Sequence, residues 1–461
     1  MSIVGAFIVP HPPVIIPEVG RGKEEQLQKT DAAYREVADR IAKLQPDTIV
    51  LLSSHAASFI NYFCITPDER VKGSFKQFGA ENVAVEAVCD TLFVQALSRA
   101  AAQVHFPAGF STKKEAELDF GTMIPLYFIN QVYTDYKLVR MGQSALSAPE
   151  HYQLGKLIAQ TANQLDRRVV VVASGDLSHR LSESSPYGFS RTGAKFDKEV
   201  TDVMKRGDFL RWLTIPPQVC RDAGECGLHA YQVLAGTLDS RAVTPRLLSY
   251  EAPFGVGYSV ASFEVGDEDA SRRFDAAYEQ RELVRIQVIR KNEDRYASLA
   301  RVALEGYVKT GQGIRIASGL PIDMSERRAG AFVTVYKYGR MRGCAGSVRP
   351  VTESVADEII RSAILAGKSD PRFPAVTVDE LPDLVYTVDI LSDVEPVERA
   401  DEVDLKNFGI LITSGKKNSL LMPDPNNDKS AKEQVAAALE KAGIGKYEPY
   451  TLERFTMVRH H

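Results

Sequence analysis

Three of the eight histidines in this 461-residue chain, His11, His55 and His179, stand where a β-branched run gives way to a loop. They follow Ile3–Val9, Thr48–Leu52 and Val169–Ala173, whose apolar, branched composition reads as strand. Side chains at the carboxyl ends of strands in an α/β sheet converge on one crevice. One histidine in such a place is commonly a core or surface residue. Three in equivalent places, two of them in the small-residue loops Ser53–Ser58 and Ser174–His179, point to a shared site. A fourth segment, Asp222–His229, opens a helix that continues past Tyr231. Glu225 there would complete two imidazoles as a 2-His-1-carboxylate set, which leaves open positions on non-haem Fe(II). Its neighbour Cys226 is a softer donor and would favour zinc or copper. The plain alternatives are an acid favoured in a first helical turn and a buried apolar filler; the residues alone leave them level with the metal readings. Asp176 either orients an imidazole or caps its own turn. His105, His151 and His229 lack strand-end placement and read as structural, with His229 the nearest to an exception.

These residues need a frame. Further strands are expected at Tyr62–Thr66, Tyr136–Arg140, Arg246–Tyr250 and Tyr258–Val265, with helices at Glu24–Lys43, Ala148–Leu165 and Ser190–Arg206. The alternation predicts an α/β domain over residues 1–265, a central sheet flanked by helices. Residues 266–291 are densely charged and read as a solvated linker helix. Residues 292–461 have another texture: helices at Arg295–Val308, Ser354–Ala366 and Ala431–Ala442 are mixed with strands at Ala331–Gly339, Leu384–Leu391 and Tyr450–Val458. A Gly-marked hairpin spans Gly409–Met422. This predicts an α+β domain. The terminal His460 and His461 are assigned no function.

Composition bounds the function. The chain is 44% hydrophobic and 25% charged with a net charge of −4, the balance of a soluble globular protein and not of one that grips a phosphate backbone broadly. No apolar run reaches the ~18 residues of a spanning helix, and the first ten residues read as a strand and not as a signal peptide. Five scattered cysteines without a CxxC pair make a reducing cytoplasm the expected setting.

The ordered segments Val9–Pro13, Ser54-His55, Gly73–Gly79, Leu118–Leu126 and Gly175–His179 resemble the LigB-type class III extradiol dioxygenases and their non-catalytic relatives, the Memo proteins, across residues 1–265. The resemblance implies Fe(II) held by His11, His55 and Glu225, with His179 as acid/base. By the Memo pattern, Cys226 is the third ligand instead. It implies a catecholic or related aromatic substrate with dioxygen, and association into homo-oligomers. One position departs from the pattern: many dioxygenases of the family carry histidine where this chain has Phe120, and a phenyl ring cannot exchange a hydrogen bond.

Four stretches of the C-terminal part, Arg328–Val335, Gly339–Ser347, Asp370–Pro374 and Glu380–Leu384, resemble the AMMECR domain, also called AmmeMemoRadiSam system protein A. The joint resemblance implies a second function: a metal-binding component that does not cleave rings and works with a radical SAM partner. In the second domain Cys344 lies between glycines, flanked by Arg342 and Arg349. Cations there would lower the thiol pKa, whereas a buried structural cysteine is the plainer reading.

Overall fold

The computed structural model describes residues 2–110, 117–315, 319–399, 403–404, 406–424, 430–445 and 447–461. It divides into two compact units, Met1–Glu279 and Gln280–His461.

The strands of the first unit are β1 (Ile3–Val9), β2 (Thr48–Ser53), β3 (Phe63–Ile65), β4 (Arg70–Phe75), β5 (Ala80–Val88), β6 (Ala108–Phe110), β7 (Lys137–Gly142), β8 (Val169–Ser174), β9 (Arg241–Glu251) and β10 (Tyr258–Glu268). Eight form one sheet in the order β6-β3-β7-β2-β8-β1-β10-β9. Its centre, β7-β2-β8-β1, is parallel, whereas β10 and β9 add antiparallel strands. The fold of this unit is thus α/β with a mixed central sheet. Every residue of β2 and β8 is buried, as expected of strands covered on both faces and written as unbroken apolar runs. The helix Gln28–Leu44 buries its Tyr34–Val37–Ile41 stripe in the same cluster as Ile49, Leu51 and Val172.

Two elements near the crevice escaped the sequence pattern. One is the hairpin β4–β5, whose exposed Lys and Glu residues hide its alternation. The other is the helix Phe120–Ile129, which contains Pro125 and is buried nearly all round, so it shows neither a polar face nor an unbroken helical composition. Its start is fixed chemically: the Asp119 carboxylate accepts the Thr122 N–H at 2.9 Å, an N-cap. The charged stretch after Val265 is shorter than its composition implies. Strand β10 continues to Glu268, which pairs with Arg241, and a helix follows at Phe274–Asn292.

The second unit is α+β. Strands β11 (Ala331–Lys337), β12 (Arg340–Ser347), β13 (Leu384–Leu391), β14 (Glu395–Val397), β15 (Gly409–Ser414), β16 (Lys417–Leu421), β17 (Thr451–Phe455) and β18 (Met457–His460) form sheets ordered β12-β11-β13-β18 and β14-β17-β15-β16. The helices Arg295–Thr310 and Val355–Lys368 contribute Ala300, Leu304, Ile359 and Ala363 to a core with Val333, Val335 and Val388. The single strand expected at Tyr450–Val458 is two, one in each sheet. The break is Thr456, whose N–H and C=O are both taken by Ser392. His460 belongs to the fold, with its ring stacked on Tyr296 at 3.8 Å and Nδ1 2.6 Å from Asp294.

Candidate metal centre

The sheet register assembles the site. Ser174 at the end of β8 lies opposite Val9 of β1 and Ser53 of β2, so the three strands finish in one row. Two residues beyond that row stand His11, Asp176 and His55. Equal overshoot from adjacent parallel strands brings the three side chains to one crevice. His11 and Asp176 are buried, at 1% and 5% exposure, whereas His55 is exposed.

His11 Nε2 and His55 Nε2 are 3.2 Å apart, and Cys226 Sγ is 3.5 Å from His11 Nε2. At Zn-type bond lengths, tetrahedral ligands would sit about 3.3 Å apart for a nitrogen pair and about 3.6 Å for nitrogen and sulfur. The spacings of His11 to His55 and of His11 to Cys226 match these two values. Asp176 Oδ2 is 3.8 Å from His11 Nε2, and His11, Asp176 and Cys226 form a group of potential donor atoms within 4.8 Å of one another.

The tautomer of His11 follows from its partners. Ser174 Oγ donates to the Gly121 carbonyl at 2.6 Å. Its one proton is then used, so at 3.0 Å it accepts from His11 Nδ1–H. With Nδ1 engaged in this way, Nε2 is the ring nitrogen that faces the centre. His55 is lowered to about 4 by burial of its inner side and by neighbouring His11, which keeps it neutral and able to ligate. Burial pushes the Cys226 thiol well up, so a metal would have to displace its proton.

Glu225 points elsewhere. Its Oε2 accepts the Leu228 N–H at 2.8 Å, capping the helix Leu228–Thr237, and burial raises its carboxyl to about 7. Cys226 sits beside the close approach of Gly175 to Gly227. A Cβ on Gly175 would lie 2.2 Å from the Gly227 Cα. This approach lets the Asp176 N–H reach Cys226 Sγ at 3.3 Å and Tyr231 OH reach the Gly175 carbonyl at 2.6 Å.

His179 lies on the far side of Asp176, with Nε2 3.7 Å from Asp176 Oδ2. Its Nδ1 is 2.7 Å from the Gly224 carbonyl; a carbonyl only accepts, so Nδ1 carries a proton. Burial works against a charged ring here, but Asp176, the Gly224 carbonyl and Glu225 outweigh it, and the pKa of His179 is raised. Asp176 also accepts the His11 N–H at 2.8 Å, and its carboxyl is lowered because the charges and hydrogen bonds of His11 and His179 overcome burial. Asp176 thus fixes the backbone of one histidine and faces the ring of another, which goes beyond capping a turn.

Several supporting residues were not legible as such in the sequence. Asp119 accepts from Ser53 Oγ at 2.6 Å and from Arg140 at 2.8 Å, an ion pair buried beneath His55. Ser53 and Ser174 are the last residues of their strands, and that position was the available signal. Phe120 packs on His55 with ring centroids 4.0 Å apart and on His11 at 5.6 Å. A ring without donors therefore walls the centre.

In the second unit, Arg342 and Arg349 do not serve Cys344. Arg342 forms two 2.9 Å bonds to Glu380 and Arg349 pairs with Glu453 at 2.6 Å. The cation beside the thiol is Arg372, itself held by Asp370 at 2.6 Å, and Asp370 also accepts the Cys344 N–H at 2.8 Å. Burial outweighs the Thr334 hydroxyl and Arg372, and the thiol is raised, not lowered.

No helix among the described residues is long and apolar enough to cross a membrane. The model described as the catalytic LigB subunit of aromatic ring-opening dioxygenase matches residues 5–261, and the AMMECR1 model matches residues 297–460. A protein of Clostridium acetobutylicum is 38% identical across 100% of this chain and 99% of its own length. A shorter protein of Thermotoga maritima is 41% identical over 36% of this chain and 98% of its own. A crystal structure of a Pyrococcus horikoshii protein aligns with 28% identity and a TM-score of 0.33, over 36% of this chain and 88% of that one. With matched segments this long, the chain belongs to the LigB family, and in it the LigB domain is followed by an AMMECR1 domain.

Proposed function

We propose that the LigB domain is a metal-binding component that does not cleave aromatic rings, with His11, His55 and Cys226 holding a zinc or copper ion. The observation that carries this reading is the placement of Cys226 Sγ 3.5 Å from His11 Nε2 while Glu225 caps a helix. A thiolate with two imidazoles is a soft-to-borderline donor set, suited to zinc or copper, whereas a ring-opening iron takes a carboxylate in place of the thiolate. Phe120 adds to it, since it offers no hydrogen bond to a bound diol or oxygen. When bound, the metal would supply Lewis acidity or electron transfer at this crevice. The protein's own part is acid/base: His179, tied through Nδ1 to Gly224, holds an exchangeable proton at Nε2, and Asp176 orients and stabilises its charged form. The fused AMMECR1 domain supports a place beside a radical SAM partner.

The second reading, ring opening on Fe(II), is favoured by the pairing of Asp176 with His179 in the same crevice, because extradiol chemistry needs a base beside the diol. Anaerobic metal analysis of wild type, Cys226→Ser and Glu225→Gln, with oxygen uptake on a catechol panel, separates the two. Zinc or copper lost in Cys226→Ser but kept in Glu225→Gln, without oxygen uptake, is expected. Iron that depends on Glu225 together with catechol-driven uptake would establish ring opening instead.

A further inference from the structure

The second unit carries a polar sheet face that has no part in the metal centre. Cys344 of β12 pairs with Thr334 of β11, and Thr334 pairs with Thr387 of β13. Residues directly opposite in antiparallel strands share a face, so the three side chains stand in one row. Val333, Val335 and Val388 alternate with them and join the helix-covered core on the other side. Thr334 Oγ1 donates to Cys344 Sγ at 3.4 Å. Thr387 is only 8% exposed, and its hydroxyl has no hydrogen-bond partner among the described residues. A buried hydroxyl left unsatisfied is costly, so its retention calls for a partner.

Two guanidiniums flank the row. Arg372 lies beside the thiol at one end. At the other, Arg459 of β18 stands opposite Asp389, two residues on from Thr387 and so on the same face, within electrostatic reach of the thiol. Arg372 Nε and Nη2 donate to the two Asp370 oxygens at 2.9 and 2.6 Å. Arg459 binds Asp389 in the same way, at 2.7 and 2.9 Å. Each acid takes one edge of the fork and leaves Nη1 for another partner. Two Arg and two Asp sum to no net charge. The row therefore suits a monoanion better than a phosphate dianion, whose second charge would meet both carboxylates. A carboxylate also has the planar oxygen pair that matches a guanidinium edge. Both arginine side chains are partly exposed, at 55% and 42%, and Cys344 is half-buried, so solutes can approach this row from solvent.

We infer that the row is a binding site for a small carboxylate, held between Arg372 and Arg459 with the Thr387 hydroxyl as a further donor and Cys344 at its side.

The test is alkylation of Cys344 in the full chain by iodoacetate and by iodoacetamide, followed by peptide mass spectrometry. The reagents differ in a carboxylate against a neutral amide; with both, sulfur displaces iodide and its proton goes to solvent. The iodoacetate-to-iodoacetamide rate ratio at Cys344 is expected to be about tenfold higher in the native protein than in the urea-unfolded chain, the worth of roughly one charged hydrogen bond. The iodoacetate rate should saturate with concentration and fall when acetate is added. Thr387→Val keeps every charge and removes an unsatisfied hydroxyl, so it should fold as wild type does while the ratio drops severalfold. Arg372→Met and Arg459→Met should bring the ratio toward its unfolded value. A native ratio no higher than the unfolded one, a rate that does not saturate, or a ratio unmoved by Thr387→Val would overturn the inference. Protection by inorganic phosphate as strong as that by acetate would overturn the choice of a carboxylate.

Discussion

At the scale of single residues, the centre depends on where protons sit. Ser174 gives its only proton to Gly121 and so compels His11 to present Nε2. Ser174→Ala removes the acceptor that fixes this tautomer, and loss of such a partner commonly costs about 10–100-fold in metal affinity. Competition titration of zinc against a chromophoric chelator should show a weakening of that order with the fold intact by circular dichroism. The histidines and their order were readable from strand-end positions. The choice between Glu225 and Cys226 was not, because adjacent residues in a loop carry no periodicity that says which one faces inward.

At the scale of elements, the decisive contact is between the end of β8 and the segment leading into the helix Leu228–Thr237. Gly175 and Gly227 are needed because a side chain on the first would overlap the second. Gly175→Ala would push Cys226 away from His11. Overpacking of this kind costs about 1–3 kcal/mol, so the variant should both lose metal and show a lower denaturation midpoint. Wild-type zinc occupancy in a folded Gly175→Ala protein would contradict this account of the site. Strands β1 and β8 were visible as β-branched runs because both lie in the sheet centre, where burial on two faces writes an unbroken apolar pattern. The β4–β5 hairpin was hidden for the opposite reason: much of it faces solvent, and its charged residues read as loop.

At the scale of the whole molecule, two units with separate cores should not unfold as one two-state system. Scanning calorimetry is expected to resolve two transitions, and excess zinc should raise only the one belonging to Met1–Glu279, since a ligand stabilises the unit that binds it. A single transition shifted uniformly by zinc would argue for one cooperative body. Acid should act differently on Gln280–His461. Burial of Glu380 favours its neutral form, but Arg342, the Thr377 N–H and Lys337 prevail and hold its carboxyl down at about 2, against about 4.3 in an unfolded chain. A depressed carboxyl contributes stability that is fully present above the unfolded value and is lost as pH falls through the folded one. The gap in transition temperature between wild type and Arg342→Met should therefore be open at pH 7 and narrow toward pH 2.

The sequence by itself determined the two families, the α/β and α+β classes, and the histidines that end three strands. Each of these is written in local composition and order. Tertiary structure alone decided that Cys226 and not Glu225 meets His11, that Arg342 and Arg349 are spent on Glu380 and Glu453, and that Phe120 packs on His55. Those outcomes depend on which surfaces come within a few ångströms of one another. Contacts such as Gly175 on Gly227 join residues far apart in the chain and leave no trace in local composition.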